Sequence, residues 1–269
     1  MSYQALDVTR DGAVTWLTLN RPQSLNALNA MITDELHDFV EGLNHDRTTR
    51  VVVMRGAGRA FCAGLDLKEQ GGSGVGELGH SITGTFEMQR RLSSLVIAIR
   101  RVPQPFIAAV RGAASGGGFA LALAADVRIA APTARFNAAF IRIGLSACDM
   151  GVSYFLPRVV GLSVASELML TGRFINAQRA LATGLISELV DEAELDAAAG
   201  KLAQEMTETS PLGLRLTKEC LAMSVDAGSL EQAIFMEDRN QTMCVGAGYI
   251  EEGARAFVEK RKPRFADHA

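Results

Sequence analysis

The sequence predicts an α/β fold, with a parallel-rich core over residues 1–195 and a helical segment over 196–269. Short apolar, β-branched runs recur along the first part and alternate with helix-length stretches, which is the signature of parallel pairing with crossover helices. After Asp191 the strand-like runs stop. Across 269 residues, 48% are apolar and 21% charged, enough for one large buried core.

Each element follows from its local pattern. Residues 13–19 alternate apolar and polar, which suits a strand towards a sheet edge. Residues 50–55 contain the unbroken run Val51-Val52-Val53-Met54, expected of a strand buried on both faces. Residues 106–110, 127–130 and 185–190 repeat that character. Helical spacing marks residues 29–43, 81–100, 118–125, 163–170 and 176–183. Further on, Ser210-Pro211 places a cap before a helix-opening proline, and Ser229 with Gln232 forms a capping box. The last helix is expected over 248–262, stopped by Pro263. Residues 69–85 are glycine-rich and read either as a surface loop able to cover a pocket or as a plain connector.

Composition excludes several classes. A net charge of −3 advertises no nucleic-acid face, and the basic cluster Lys260, Arg261, Lys262, Arg264 is too small to argue for one. Cys62, Cys148, Cys220 and Cys244 lack CxxC spacing, and the four histidines are not paired at ligand spacing, so no metal site is expected. No apolar run approaches the ~18 residues needed to span a bilayer, and no leader is evident, so a reduced, cytoplasmic protein without a membrane partner is expected. Ser115 is no nucleophile elbow, because Ala113 breaks GxSxG.

Two segments carry chemistry. Arg59-Ala60-Phe61-Cys62-Ala63-Gly64-Leu65-Asp66-Leu67-Lys68 and Gly112-Ala113-Ala114-Ser115-Gly116-Gly117-Gly118 each follow a buried strand, where parallel α/β structures bind ligands. The glycine triplet opens an apolar helix, whose N-terminal N–H groups suit a developing negative charge. Tight packing of the helix against its neighbours explains the same glycines.

Together these segments resemble the enoyl-CoA hydratase/isomerase, or crotonase, family. The resemblance extends to Asn20-Arg21-Pro22, Asn26-Ala27-Leu28, Leu156-Pro157-Arg158 and the tail Glu259-Lys260-Arg261-Lys262-Pro263. It implies a crotonase-like spiral of ββα units with a helical C-terminal trimerisation region, hence a homotrimer or dimer of trimers. It also implies an acyl-CoA thioester substrate, with coenzyme A entering as part of that substrate and no cofactor bound permanently. The thioester oxygen would meet the backbone N–H groups of Leu65 and Gly117. Leu25, Ala63, Asp66, Leu67 and Lys68 would lie along the coenzyme A, with Phe257 and Lys260 closing over the nucleotide from a neighbouring subunit.

The chain departs from the family where hydratases carry two glutamates: Ala120 and Phe140 stand there. Neither can move a proton. One acid remains nearby, Asp149, in a loop that resembles the aspartate loop of dienoyl-CoA isomerases and of 4-chlorobenzoyl-CoA dehalogenase. As a base it would shuttle protons between carbons, and as a nucleophile it would form an ester. Apolar neighbours such as Phe119, Phe140 and Met150 would raise its pKa. The local alternative is a helix N-cap for residues 150–160. Three functions stay open: an isomerase-like enzyme using Asp149, a hydratase with a non-standard water site, and a silent acyl-CoA binder.

Overall fold

The computed structural model describes residues 3–68 and 81–265. The expectation for a covering loop falls largely on residues 69–80, outside the described residues. Nine strands occur among the described residues: β1 (Leu6–Asp11), β2 (Val14–Leu19), β3 (Val51–Gly56), β4 (Phe106–Val110), β5 (Ala113–Ser115), β6 (Val127–Ala130), β7 (Arg135–Asn137), β8 (Ile175–Asn176) and β9 (Glu188–Leu189). They form a large sheet in the order β1-β2-β3-β4-β6-β9 and a small one in the order β5-β7-β8.

In the large sheet only β1 and β2 pair antiparallel; β2-β3, β3-β4, β4-β6 and β6-β9 are parallel. The run at 13–19 lies towards the edge, one strand in. A hairpin turning at Asp11-Gly12, with Gly12 at φ 58°, folds β1 back onto β2 in register Leu6 to Leu19 and takes the edge itself. At the other end only Glu188–Leu189 of the expected 185–190 run pairs as strand.

The spiral emerges from how the chain steps between sheets. From β4 it passes to β5 in the small sheet and then into α3 (Gly117–Ala124); from β6 it passes to β7 and on towards α4 (Val152–Val160). The unbroken apolar runs are explained by two cores. Val52 and Met54 of β3, with Phe106, Ala108 and Val110 of β4, face one core; Val51, Val53, Ile107 and Ala109 face the other. The second core is closed by Leu195, Ala199 and Ala203, one stripe of α7 (Leu195–Thr207). The helical segment thus begins by completing the α/β core rather than leaving it.

Side-chain caps open several of the helices. Asn29 accepts from the Ile32 N–H at the start of α1 (Ala30–Leu43), and Ser81 from the Gly84 N–H at the start of α2 (Ile82–Arg101). Ser210 and Ser229 cap α8 (Pro211–Ser224) and α9 (Leu230–Gly246). The capping box at Ser229 is shifted, because Gln232 accepts from the Gly228 N–H at 2.9 Å. Helices α5 (Leu162–Thr171) and α6 (Ala177–Ala182) pack beside α4 and the small sheet, and α10 (Tyr249–Val258) ends the described helices.

Candidate active site

Parallel strands β3 and β4 end side by side, so their following loops touch. Cys62 donates its N–H to the Ala113 oxygen and accepts from the Ser115 N–H, both at 3.0 Å, forming a β-bridge between the loops. On its other side the first loop is held by Leu28, which donates to the Gly64 oxygen at 2.7 Å and accepts from the Asp66 N–H at 2.9 Å. Contact is close enough to demand glycine. A Cβ on Gly118 would stand 2.1 Å from the Cys62 carbonyl oxygen, and Gly64, at φ 93°, would place one 2.7 Å from that of Ser115.

Backbone N–H groups are left over at this junction. Those of Leu65 and of Gly117, the first residue of α3, donate to no acceptor among the described residues. All eight residues of α3 are buried, so its positive end acts in a region shielded from water.

Both residues line a cavity of about 270 Å³. Ala63 and Leu67 line it too, as does Asp149 from the loop before α4. Phe140, Ile143 and Leu145 form one wall. The opposite wall is one face of α2, with Thr85, Met88, Gln89 and Leu92 at helical spacing. A second cavity of about 240 Å³ adjoins it through the shared residues Leu28, Leu65, Met88 and Leu92.

Asp149 is not a helix cap. The N-cap of α4 is Gly151 at φ 80°, and no side chain caps that end. The Asp149 carboxylate instead accepts from the Met150 N–H at 2.7 Å and from the side-chain amide of Gln89. Burial pushes its pKa above the ordinary carboxylate value, while those two hydrogen bonds pull the other way. Gln89 escaped the sequence reading. The sequence signal for it is the 85/88/89/92 spacing, which puts it on the face of α2 that lines the cavity.

Other expected residues lie elsewhere. The Asp66 carboxylate is buried and ion-paired with Arg21 at 3.0 Å, so it braces the loop instead of facing the cavity. Leu25 holds a left-handed turn at φ 50° and accepts from the Ala63 N–H at 3.0 Å. Lys68 and Lys260 are exposed, and Phe257 on α10 is 85% exposed; none of the three lines either cavity. Phe119 packs against Phe136 with ring centres 5.9 Å apart, and neither it nor the fully buried Ala120 lines the cavity. Glu87 is exposed. Burial pushes the Cys62 thiol up to about 12, so behind the loop it stays a neutral apolar filler.

The family model described as "Enoyl-CoA hydratase/isomerase" matches residues 9–268. The chain belongs to the enoyl-CoA hydratase/isomerase family. It is similar to the "Probable enoyl-CoA hydratase echA12" of Mycobacterium tuberculosis (strain ATCC 25618 / H37Rv), with 39% identity over 94% of this chain and 90% of that one. It is 35% identical to the 1,2-epoxyphenylacetyl-CoA isomerase of Escherichia coli (strain K12), over 94% of both chains. Among solved structures, an enoyl-CoA hydratase from Bacillus anthracis superposes with a TM-score of 0.91 at 32% identity, covering 97% of this chain and 99% of that one. The protein is thus an acyl-CoA enzyme of this hydratase/isomerase family with the crotonase fold. No helix among the described residues is long and apolar enough to cross a membrane.

Proposed function

We propose that this enzyme moves a proton between carbons of an unsaturated acyl-CoA thioester. The thioester oxygen accepts from the Leu65 and Gly117 N–H groups, and the enolate charge that builds there is met by donors already in place. The Asp149 carboxylate takes a proton from one carbon of the acyl chain and returns it at another. One observation carries this reading: Asp149 is the only titratable side chain lining the cavity that also holds Leu65 and Gly117, among the described residues. Its raised pKa brings a carboxylate nearer the basicity that proton transfer at neutral pH needs. The relationship to an isomerase of a CoA ester is consistent with it.

The adjoining cavity past Leu28 and Leu65 gives the thioester's coenzyme A arm a route outward. Ala63 and Leu67, which line the first cavity, meet the inner part of that arm, and Phe257 and Lys260 complete the nucleotide site from a neighbouring subunit. Exposed apolar side chains on α9 and α10, among them Leu230, Phe235 and Phe257, supply a surface for that trimer.

Hydration is the second reading, favoured by the Gln89–Asp149 pair, which offers a donor and an acceptor to one water. A single experiment separates the two. A 3-enoyl-CoA is incubated in D₂O with wild type and Asp149→Asn, and crotonyl-CoA hydration is followed in parallel. The proposal expects double-bond migration with deuterium uptake by wild type, reduced about 10²–10⁴-fold in Asp149→Asn. Rapid hydration abolished by the same substitution makes the enzyme a hydratase. Tight acyl-CoA binding with no exchange makes it a silent binder, and the proposal fails.

A further inference from the structure

Behind α2 three cations crowd one carboxylate. Asp126 takes a 2.6 Å bond from Arg100 and lies 3.2 Å from the Lys218 ammonium, which is almost fully buried. Arg128, two residues on, is fixed by backbone carbonyls: its Nε donates to Leu185 at 2.7 Å and its Nη1 to Ala125 at 2.8 Å. Its Nη2 makes no hydrogen bond among the described residues. Positive charge therefore exceeds negative here, with Lys218 buried and Arg100, Asp126 and Arg128 partly so. Burial pushes the Arg128 guanidinium down to about 10, against the attraction of Asp126 and with the repulsion of Arg100. Such a surplus is costly unless an anion answers it.

A cavity of about 750 Å³ opens on Arg100 and Arg128, between α2, α4 and the end of α8. Asp126, Arg101 and the Arg158–Asp226 pair also line it, so four arginines face two aspartates, and most of the remaining wall is apolar, including Ile97, Leu123 and Phe155. It shares no residue with the cavity holding Asp149. Helix α2 is the partition: Leu92 faces the active cavity while Ser93 and Val96 face this one.

We propose that this second cavity binds a small molecule carrying an oxyanion head, carboxylate or phosphate, on a short apolar body. Arg128 and Arg100 take the head. Guanidinium groups held rigid by other bonds lose little freedom on binding, and the Nη2 of Arg128, with the N–H groups of Arg100 that Asp126 does not take, can donate charge-assisted hydrogen bonds to either oxyanion. The aliphatic and aromatic walls take the body. Nothing in this inference depends on the reaction proposed above.

The test is calorimetric titration of the full chain with octanoate and with octyl phosphate, at constant ionic strength with chloride as the balancing anion. The expected result is saturable binding of at least one, unaffected by saturating butyryl-CoA. Arg128→Gln should weaken it at least about tenfold, the worth of one charge-assisted hydrogen bond. Because the Leu185, Ala125 and Ala122 carbonyls lose their donor in that variant, which can unfold it, Ala222→Trp, which fills the cavity from α8, supplies an independent block. The two head groups distinguish a fatty acid from a phosphate ester as the source. Absence of saturable binding by both, displacement by butyryl-CoA, or undiminished binding in Ala222→Trp overturns the proposal. So does inorganic phosphate binding as tightly as octyl phosphate, since the apolar walls would then contribute nothing.

Discussion

Gln89 and Asp149 meet at the wall of the active cavity, the side-chain amide of the first donating to the carboxylate Oδ1 of the second. The same oxygen accepts from the Met150 N–H, so two donors hold the charged form against a burial that disfavours it. The glutamine therefore sets both where the carboxylate points and how basic it is.

Replacing Gln89 with Leu removes one of the interactions that lower the Asp149 pKa. The base works only when deprotonated, and its pKa, already raised, moves further up. Activity should then be lost at higher pH as the solution is acidified, while the high-pH plateau falls less, within about tenfold. Gln89→Glu should move the acid limb further, because a like charge now faces the carboxylate. The pH profile of kcat/KM for proton exchange checks this; a uniform loss at every pH, with the limb unmoved, would reduce Gln89 to packing.

Gly117 and Gly118 are neighbours with different tolerances. A Cβ on Gly117 would press on side-chain ends, Leu28 Cδ1 at 2.9 Å and Met150 Sδ at 3.3 Å, which can turn aside. On Gly118 it would strike the Cys62 backbone. Gly118→Ala should cost about 1–3 kcal/mol and separate the two loops, whereas Gly117→Ala should cost under about 1.5 kcal/mol. Urea denaturation of both variants reads the difference; equal costs would mean the loops part freely.

Much of this was legible in the sequence because local rules and fold agree. Val51-Val52-Val53-Met54 had to be doubly covered, and the two cores divide its side chains alternately. Ser210 and Ser229 cap the helices they were expected to cap. Asp149 reaches the cavity as its loop suggested. What escaped depends on distant pairing. β5 and β7 are three residues each and owe their strand character to one another, not to propensity. Asp66 reads as a loop acid beside a ligand, but Arg21, 45 positions earlier in the chain, claims it. Gln89 gains meaning only once α2 lies across from Asp149.

Lys218 is a buried cation donating to the Ile99 and Gln104 carbonyls at 3.0 and 2.7 Å. Burial lowers its pKa below the ordinary lysine value, with Asp126 opposing. The unfolded chain therefore holds this proton to higher pH than the native one, and stability contributed here should rise with pH between the lowered native value and the ordinary lysine value. Lys218→Met should erase that rise. It should also cost about 1–3 kcal/mol at neutral pH, because two buried carbonyls lose their donor while Asp126 keeps Arg100. Denaturation midpoints across alkaline pH measure both, and an unchanged slope would sink the assignment.

Phe140 is 7% exposed and closes the acyl wall beside Ile143 and Leu145. Truncation to Ala should open space continuous with the cavity, at a stability cost of about 3–5 kcal/mol. The gain should appear in substrate choice. Each methylene that enters apolar space is worth about 0.8 kcal/mol, so kcat/KM should shift towards longer acyl chains by up to about fourfold per carbon until the new space is filled. Steady-state rates over a series of 3-enoyl-CoA lengths, with wild type alongside, would reveal this. If chain-length preference stays fixed while stability falls, the acyl group runs elsewhere, and the wall formed by Phe140 is structural.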